Sequence, residues 1–80
     1  MVVSDRIEEH LSSEARRRTR ERGRRDGACI LLHEGRDGLV RALARVEAWA
    51  GAAQIRCDEA ERRAAYAGGL RDALADEAVA

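Results

Sequence analysis

Apolar positions along this 80-residue chain recur at helical spacing. Val3, Ile7, Leu11 and Ala15 form a narrow stripe with a period of four. The stripe stops at a block of arginines and returns at Cys29, Ile30, Leu31 and Leu32. Further on, Leu39, Leu43, Val46, Ala50, Ala53, Cys57, Ala60, Ala64 and Ala67 alternate spacings of four and three, the heptad seam of a packed helix. Glu47, Arg56, Glu59, Arg62 and Arg63 lie off that seam, as a solvated face requires. The pattern predicts one long helix over about 5–33 and a second over about 39–67. Gly68-Gly69 is then expected to end the second helix, and a short helix carrying Leu70, Ala73 and Leu74 to follow over about 70–79.

Start and stop signals refine this outline. Ser4 and Asp5 suit an N-cap, and Asp5 with Glu8 has the spacing of a capping box. Gly23 and Gly27 each cost about 1 kcal/mol inside a helix relative to alanine, which marks 23–27 as a place for a kink or break. Residues 28–33 form an apolar run too short for periodicity to separate helix from strand. Helix is preferred, because the chain offers no second strand to pair with it. Gly35-Arg36-Asp37-Gly38 is the strongest break, with Asp37 available as an N-cap. Folding the two long segments back about it gives a mainly α, single-domain antiparallel hairpin over residues 1–80. In that register Gly23 falls opposite Trp49 and would make room for its indole.

Composition favours helix and limits the core. Proline is absent and sixteen alanines supply helix propensity, while Leu, Ile and Val together number only fifteen and Phe is missing. So small an apolar complement in a small domain predicts a homodimer or dependence on a partner. Cys29 and Cys57 have no C-x-x-C or histidine spacing around them and read as small apolar residues of a reduced protein. No apolar stretch reaches the ~18 residues of a membrane span and no signal peptide opens the sequence, so a cytoplasmic location and no membrane contact are expected.

Charge is balanced overall at fifteen Arg against fifteen Asp and Glu, but it is unevenly spread. Residues 16–25 hold seven arginines and one acid, Glu21. Such a patch steers association with a negative partner, and guanidinium groups pair bidentately with phosphate and carboxylate. Arg16, Arg17, Arg20, Arg24 and Arg25 are therefore the expected partner-binding residues, and reversing Arg17, Arg20 and Arg24 is expected to abolish binding while sparing stability. A solvated helix face with Glu14–Arg18 and Glu21–Arg25 pairs explains the same residues without a partner. Trp49, beside Val46, Ala50 and Ala53, is expected to plug the core. Tyr66, near the expected helix end, is expected to stay partly exposed and to join the partner-binding surface. His10 and His33 are the usual general bases, and His33-Glu34 and Asp37 gather near the turn. No nucleophile elbow, phosphate loop or zinc spacing accompanies them, nor do Ser12 and Ser13 near His10 make a catalytic geometry. No catalytic residue, metal or cofactor is expected.

From Glu14 to Gly27 the sequence E-A-R-R-R-T-R-E-R-G-R-R-D-G resembles in composition the arginine-rich helices with which phage antitermination peptides grip RNA. In size, charge density and lack of a catalytic motif, the whole chain is similar to small helical phage and mobile-element proteins, among them anti-CRISPR inhibitors and small transcription regulators. The resemblance implies a non-enzymatic inhibitor that occupies a surface of a larger host nucleoprotein complex. Direct RNA or DNA binding through the same block is the alternative.

Overall fold

The computed structural model describes residues 12–50 and 57–79, and all of these except Ser12 are helical: α1 spans Ser13–Ala50 and α2 spans Cys57–Val79. Among the described residues there is no strand, and 28–33 continue the helix. Ser12 starts α1, its Oγ accepting the Ala15 N–H (3.1 Å) and its carbonyl accepting the Arg16 N–H (2.9 Å). Glu14 adds a negative charge in the first turn. The capping box at Asp5–Glu8 lies outside the described residues.

Gly35 breaks α1, with φ 79° and ψ −177°, a backbone conformation nearly closed to any residue with a Cβ. It divides α1 into a first arm (13–34) and a second arm (36–50). Thr19 and Arg22 of the first arm border the same hollow as Val46 and Trp49 of the second. In an unbroken helix Arg22 and Val46 would lie about 36 Å apart, so the arms fold back on one another as an antiparallel hairpin. The expected break at 35–38 is thus concentrated in its first residue, and Asp37 lies within the second arm rather than capping it. The first arm passes through Gly23 and Gly27 as helix, with no break there.

α2 packs along both arms. Arg20 pairs with Asp72 and Arg24 with Asp76, one turn further along both helices, so α2 runs parallel to the first arm. Against the second arm it is antiparallel: Trp49 meets Arg63, and Arg36 meets Glu77. This overturns a single helix over 39–67, which would hold Trp49 and Arg63 about 21 Å apart; the Arg63 guanidinium sits 4.1 Å from the indole centroid. Nor does Gly68-Gly69 end a helix. α2 runs through both glycines to Val79, and no separate 70–79 helix exists.

The reason is packing. A Cβ on Gly69 would fall 2.6 Å from the Arg24 nitrogen and 2.8 Å from the Gly23 carbonyl carbon, and a Cβ on Gly23 would run into the Tyr66 carbonyl. Gly23 and Gly69 therefore let two helix backbones touch, and this contact offsets their low helix propensity. Gly23 accommodates α2, not the Trp49 indole.

The core gathers near the Gly35 end. Leu39 and Leu70 are fully buried with Ala73, and Ile30, Leu31, Leu43, Val46, Tyr66 and Leu74 pack around them. The expected seam is correct at Leu39, Leu43, Val46 and Ala67, but Ala64 faces solvent while Ala65 is buried. Trp49 does not plug this core: it is 60% exposed. Asp76 and Glu77 sit in the last turns of α2, the wrong end of the helix dipole for acids, and Arg24 and Arg36 from the arms neutralise them (2.6 and 3.5 Å).

Candidate functional site

The arginine block divides into two sets by its position around the first arm. One set faces α2. Arg20 binds both carboxylate oxygens of Asp72, Nε to Oδ2 at 2.7 Å and Nη2 to Oδ1 at 3.0 Å, and Arg24 Nε reaches Asp76 Oδ2 at 2.9 Å. The Asp72 carboxyl is held below the usual range, first by the hydrogen bond from Arg20, against a smaller opposing effect of burial. Arg20 and Arg24 are correspondingly raised by the hydrogen bonds they donate to Asp72 and Asp76. Arg16 lies 3.5 Å from Glu61. These three, expected to bind a partner, are paired with acids of α2. Sequence reasoning missed this because the acids lie more than forty positions away.

The other set faces solvent. Arg17, Arg18, Arg22 and Arg25, joined by Arg62 of α2, line an open groove of about 450 Å³ with Ala15, Thr19 and one acid, Glu21. Glu14 reaches Arg17 (3.0 Å) and Arg18 (3.4 Å), the latter being the expected i,i+4 pair. Arg22, Arg25 and Arg62 are exposed and form no ion pair among the described residues, so the expected Glu21–Arg25 pair is absent. Of the expected site residues, the groove therefore brings together Arg17 and Arg25. It adds Arg18, Arg22 and Arg62. Arg62 was assigned to a solvated face, and nothing in its local sequence signals that it joins the block.

Arg22 and Arg62 also border a second hollow of about 220 Å³ with Thr19, Val46, Trp49, Glu59, Arg63 and Tyr66. The groove and this hollow are thus neighbours at the end of the hairpin opposite Gly35. The Arg63 guanidinium lies over the Trp49 ring, donates to the Trp49 carbonyl (3.3 Å) and pairs with Glu59 (3.3 Å). Beside the indole a further hollow of about 340 Å³ opens between Arg45, Val46 and Trp49. The sequence shows no aromatic among the arginines; the fold supplies one.

Tyr66 is half-buried, and its phenol donates a hydrogen bond to the Asp26 carboxylate. Desolvation, then that bond, pushes its pKa up to about 12. It is an internal anchor for the first arm more than a presented contact. For an acid raised in the folded state, the neutral form is favoured by folding. The stabilisation is complete below the unfolded value of about 10 and is lost as pH rises through the folded value. Tyr66 is the one tyrosine in the chain, so phenolate absorbance is expected to show a single titration near 12. Asp26→Asn should lower that midpoint only in part, since burial is the larger cause; a midpoint at 10 in the native protein would contradict this geometry.

Elsewhere, His33 and Asp37 are exposed at the turn, Ser12 serves as a cap, and His10 lies outside the described residues. Cys29 is exposed rather than packed inside. Among the described residues no cluster of His, Cys, Asp and Glu is arranged to hold a metal, and no helix is long and apolar enough to cross a membrane. No protein-family model, curated protein or solved structure matches the chain.

Proposed function

We propose that this is a non-enzymatic binding protein that docks through its arginine groove on a negatively charged surface of a larger assembly. One observation carries the reading: Arg20 and Arg24 are engaged by α2, whereas Arg22, Arg25 and Arg62 stand exposed around one groove with no ion pair among the described residues. Exposed ion pairs contribute only about 0–1 kcal/mol each, and like charges gathered without partners contribute nothing to folding. Their use lies in steering and holding an anion. Inhibition of a host nucleoprotein complex, in the manner of anti-CRISPR proteins, is the specific form this reading takes when the anionic surface belongs to such a complex. Direct nucleic-acid binding is favoured separately by the position of Trp49.

Retention on a heparin column tests the groove. The wild-type chain is neutral overall, so retention would come from the patch. Arg22→Glu, Arg25→Glu and Arg62→Glu together are expected to abolish it while leaving helicity and melting temperature nearly unchanged. Arg17 with Arg20 and Arg24 would be a poor choice, because reversing the last two sets glutamates against Asp72 and Asp76 and destabilises the bundle. Undiminished retention of the groove variant would refute the reading.

A further inference from the structure

We infer that the cleft where the arginine groove meets Trp49 binds single-stranded nucleic acid, a phosphate lying between Arg22 and Arg62 and a base stacking on the indole. This rests on the reading of the groove as an anion-binding surface, and adds to it the chemical identity of the anion.

Three observations converge. Trp49 is the single tryptophan of a chain with no Phe and few large apolar residues, yet it is 60% exposed while smaller side chains fill the core. Leaving the largest apolar side chain in water forgoes a stabilisation that the fold could use. Second, the indole is fixed rather than loose: Arg63 covers the ring at 4.1 Å and is itself tied to Glu59 and to the Trp49 carbonyl. A pre-positioned ring costs little entropy to stack upon, and the hollow between Arg45 and Val46 gives access beside it. Third, Arg22 and Arg62 line both the charged groove and the aromatic hollow, which places cationic and stacking groups side by side.

A nucleotide chain alternates phosphate and base, and proteins that bind it single-stranded combine these two groups: a positive groove for the backbone and an aromatic platform for bases. An acidic protein surface would satisfy the arginines and would need a separate apolar side chain to cover the indole, whereas a nucleotide strand carries both groups in every repeat. A duplex keeps its bases stacked on each other and cannot offer one to Trp49. Glu21 in the groove wall and Glu14, paired with Arg17 and Arg18, oppose a phosphate there, which leaves Arg22 and Arg62 to hold it; Glu59 is compensated by Arg63.

Intrinsic fluorescence reports directly, because all tryptophan emission comes from Trp49. Titration of the full chain with a single-stranded oligothymidylate of about ten nucleotides is expected to quench that emission. The affinity should fall linearly with salt in log–log form, by about 0.7 per phosphate contacted. Trp49→Ala, read by anisotropy of a labelled strand, should weaken binding about tenfold or more, and Trp49→Phe should restore part of it. Arg22→Gln with Arg62→Gln should flatten the salt slope. Inorganic polyphosphate binding as tightly as the strand, with Trp49→Ala harmless, would overturn base stacking and leave the anion-binding reading intact. Binding of polyglutamate but not of the strand would do the same in favour of a protein partner. Failure of the strand, polyphosphate and heparin alike would remove both.

Discussion

Gly69→Ala is expected to lower the stability of the bundle by about 3 kcal/mol, at the upper end of the cost of overpacking. Its neighbour Gly68→Ala should raise stability by up to about 1 kcal/mol. Helix propensity alone predicts a gain at both positions. The difference lies in what the new methyl group meets. At Gly69 it meets the backbone of the first arm, within 3 Å of Arg24 nitrogen and Gly23 carbonyl carbon, and neither can step aside without separating the helices. At Gly68 the nearest atoms are those of the Arg20 guanidinium, 3.6 Å away, an ordinary contact with a flexible side chain. In a domain this small, 3 kcal/mol corresponds to a melting temperature lower by roughly 12–24 °C. Thermal unfolding followed by circular dichroism would show opposite shifts for two adjacent glycines. Shifts of the same sign would contradict the crossing.

A substitution at Gly35 should change the association state rather than only the stability. Alanine at φ 79° and ψ −177° costs on the order of 1–3 kcal/mol, while alanine in a continuous helix is favourable. Both effects push α1 to straighten into one rod of 38 residues, about 57 Å long. A straight α1 carries the first arm away from α2 and so loses the Gly23–Gly69 crossing and the Arg20–Asp72 pair within its own chain, but two straight chains can exchange first arms and recover the same contacts. Gly35→Ala is therefore expected to sediment as a domain-swapped dimer with near-native helicity, about twice the mass of the wild-type species under the same conditions. A variant that keeps the wild-type mass and stability would show that Gly35 is not what holds the turn.

Several features were legible in the residues, and the failures have identifiable causes. Helicity followed from the alanine content, the absence of proline and the spacing of Leu39, Leu43 and Val46. The glycine at 35 was a true break because its conformation requires it. Gly23, Gly27, Gly68 and Gly69 carry the same local signal, yet all lie inside helices; at 23 and 69 the cause is a close crossing set by a residue more than forty positions away, which no local rule can read. In the sequence the spacings of four and three run on from Leu39 to Ala67 and so imitate one helix, although of Ala64 and Ala67 the fold buries only Ala67. The arginine block was found as a block. Its partition into Arg20 and Arg24, which bind α2, and Arg22 and Arg25, which face outward, depends on where α2 packs. Trp49 was assigned to the core on periodicity, which identifies a side of a helix but not whether the partner helix extends far enough to cover it.

The placement of Leu39, Leu70 and Ala73 near the Gly35 end also makes the molecule unequal along its length. Protection of backbone hydrogen bonds follows local burial. The helices around the glycine turn therefore open only with the whole domain. At the opposite end the second arm meets α2 through the Arg63–indole contact and the first arm meets it through the exposed Arg16–Glu61 pair, which salt weakens readily. The arginine-bearing end is thus the part of the fold whose contacts respond most to ionic strength, while the apolar cluster beside the turn holds the arms together whatever the salt.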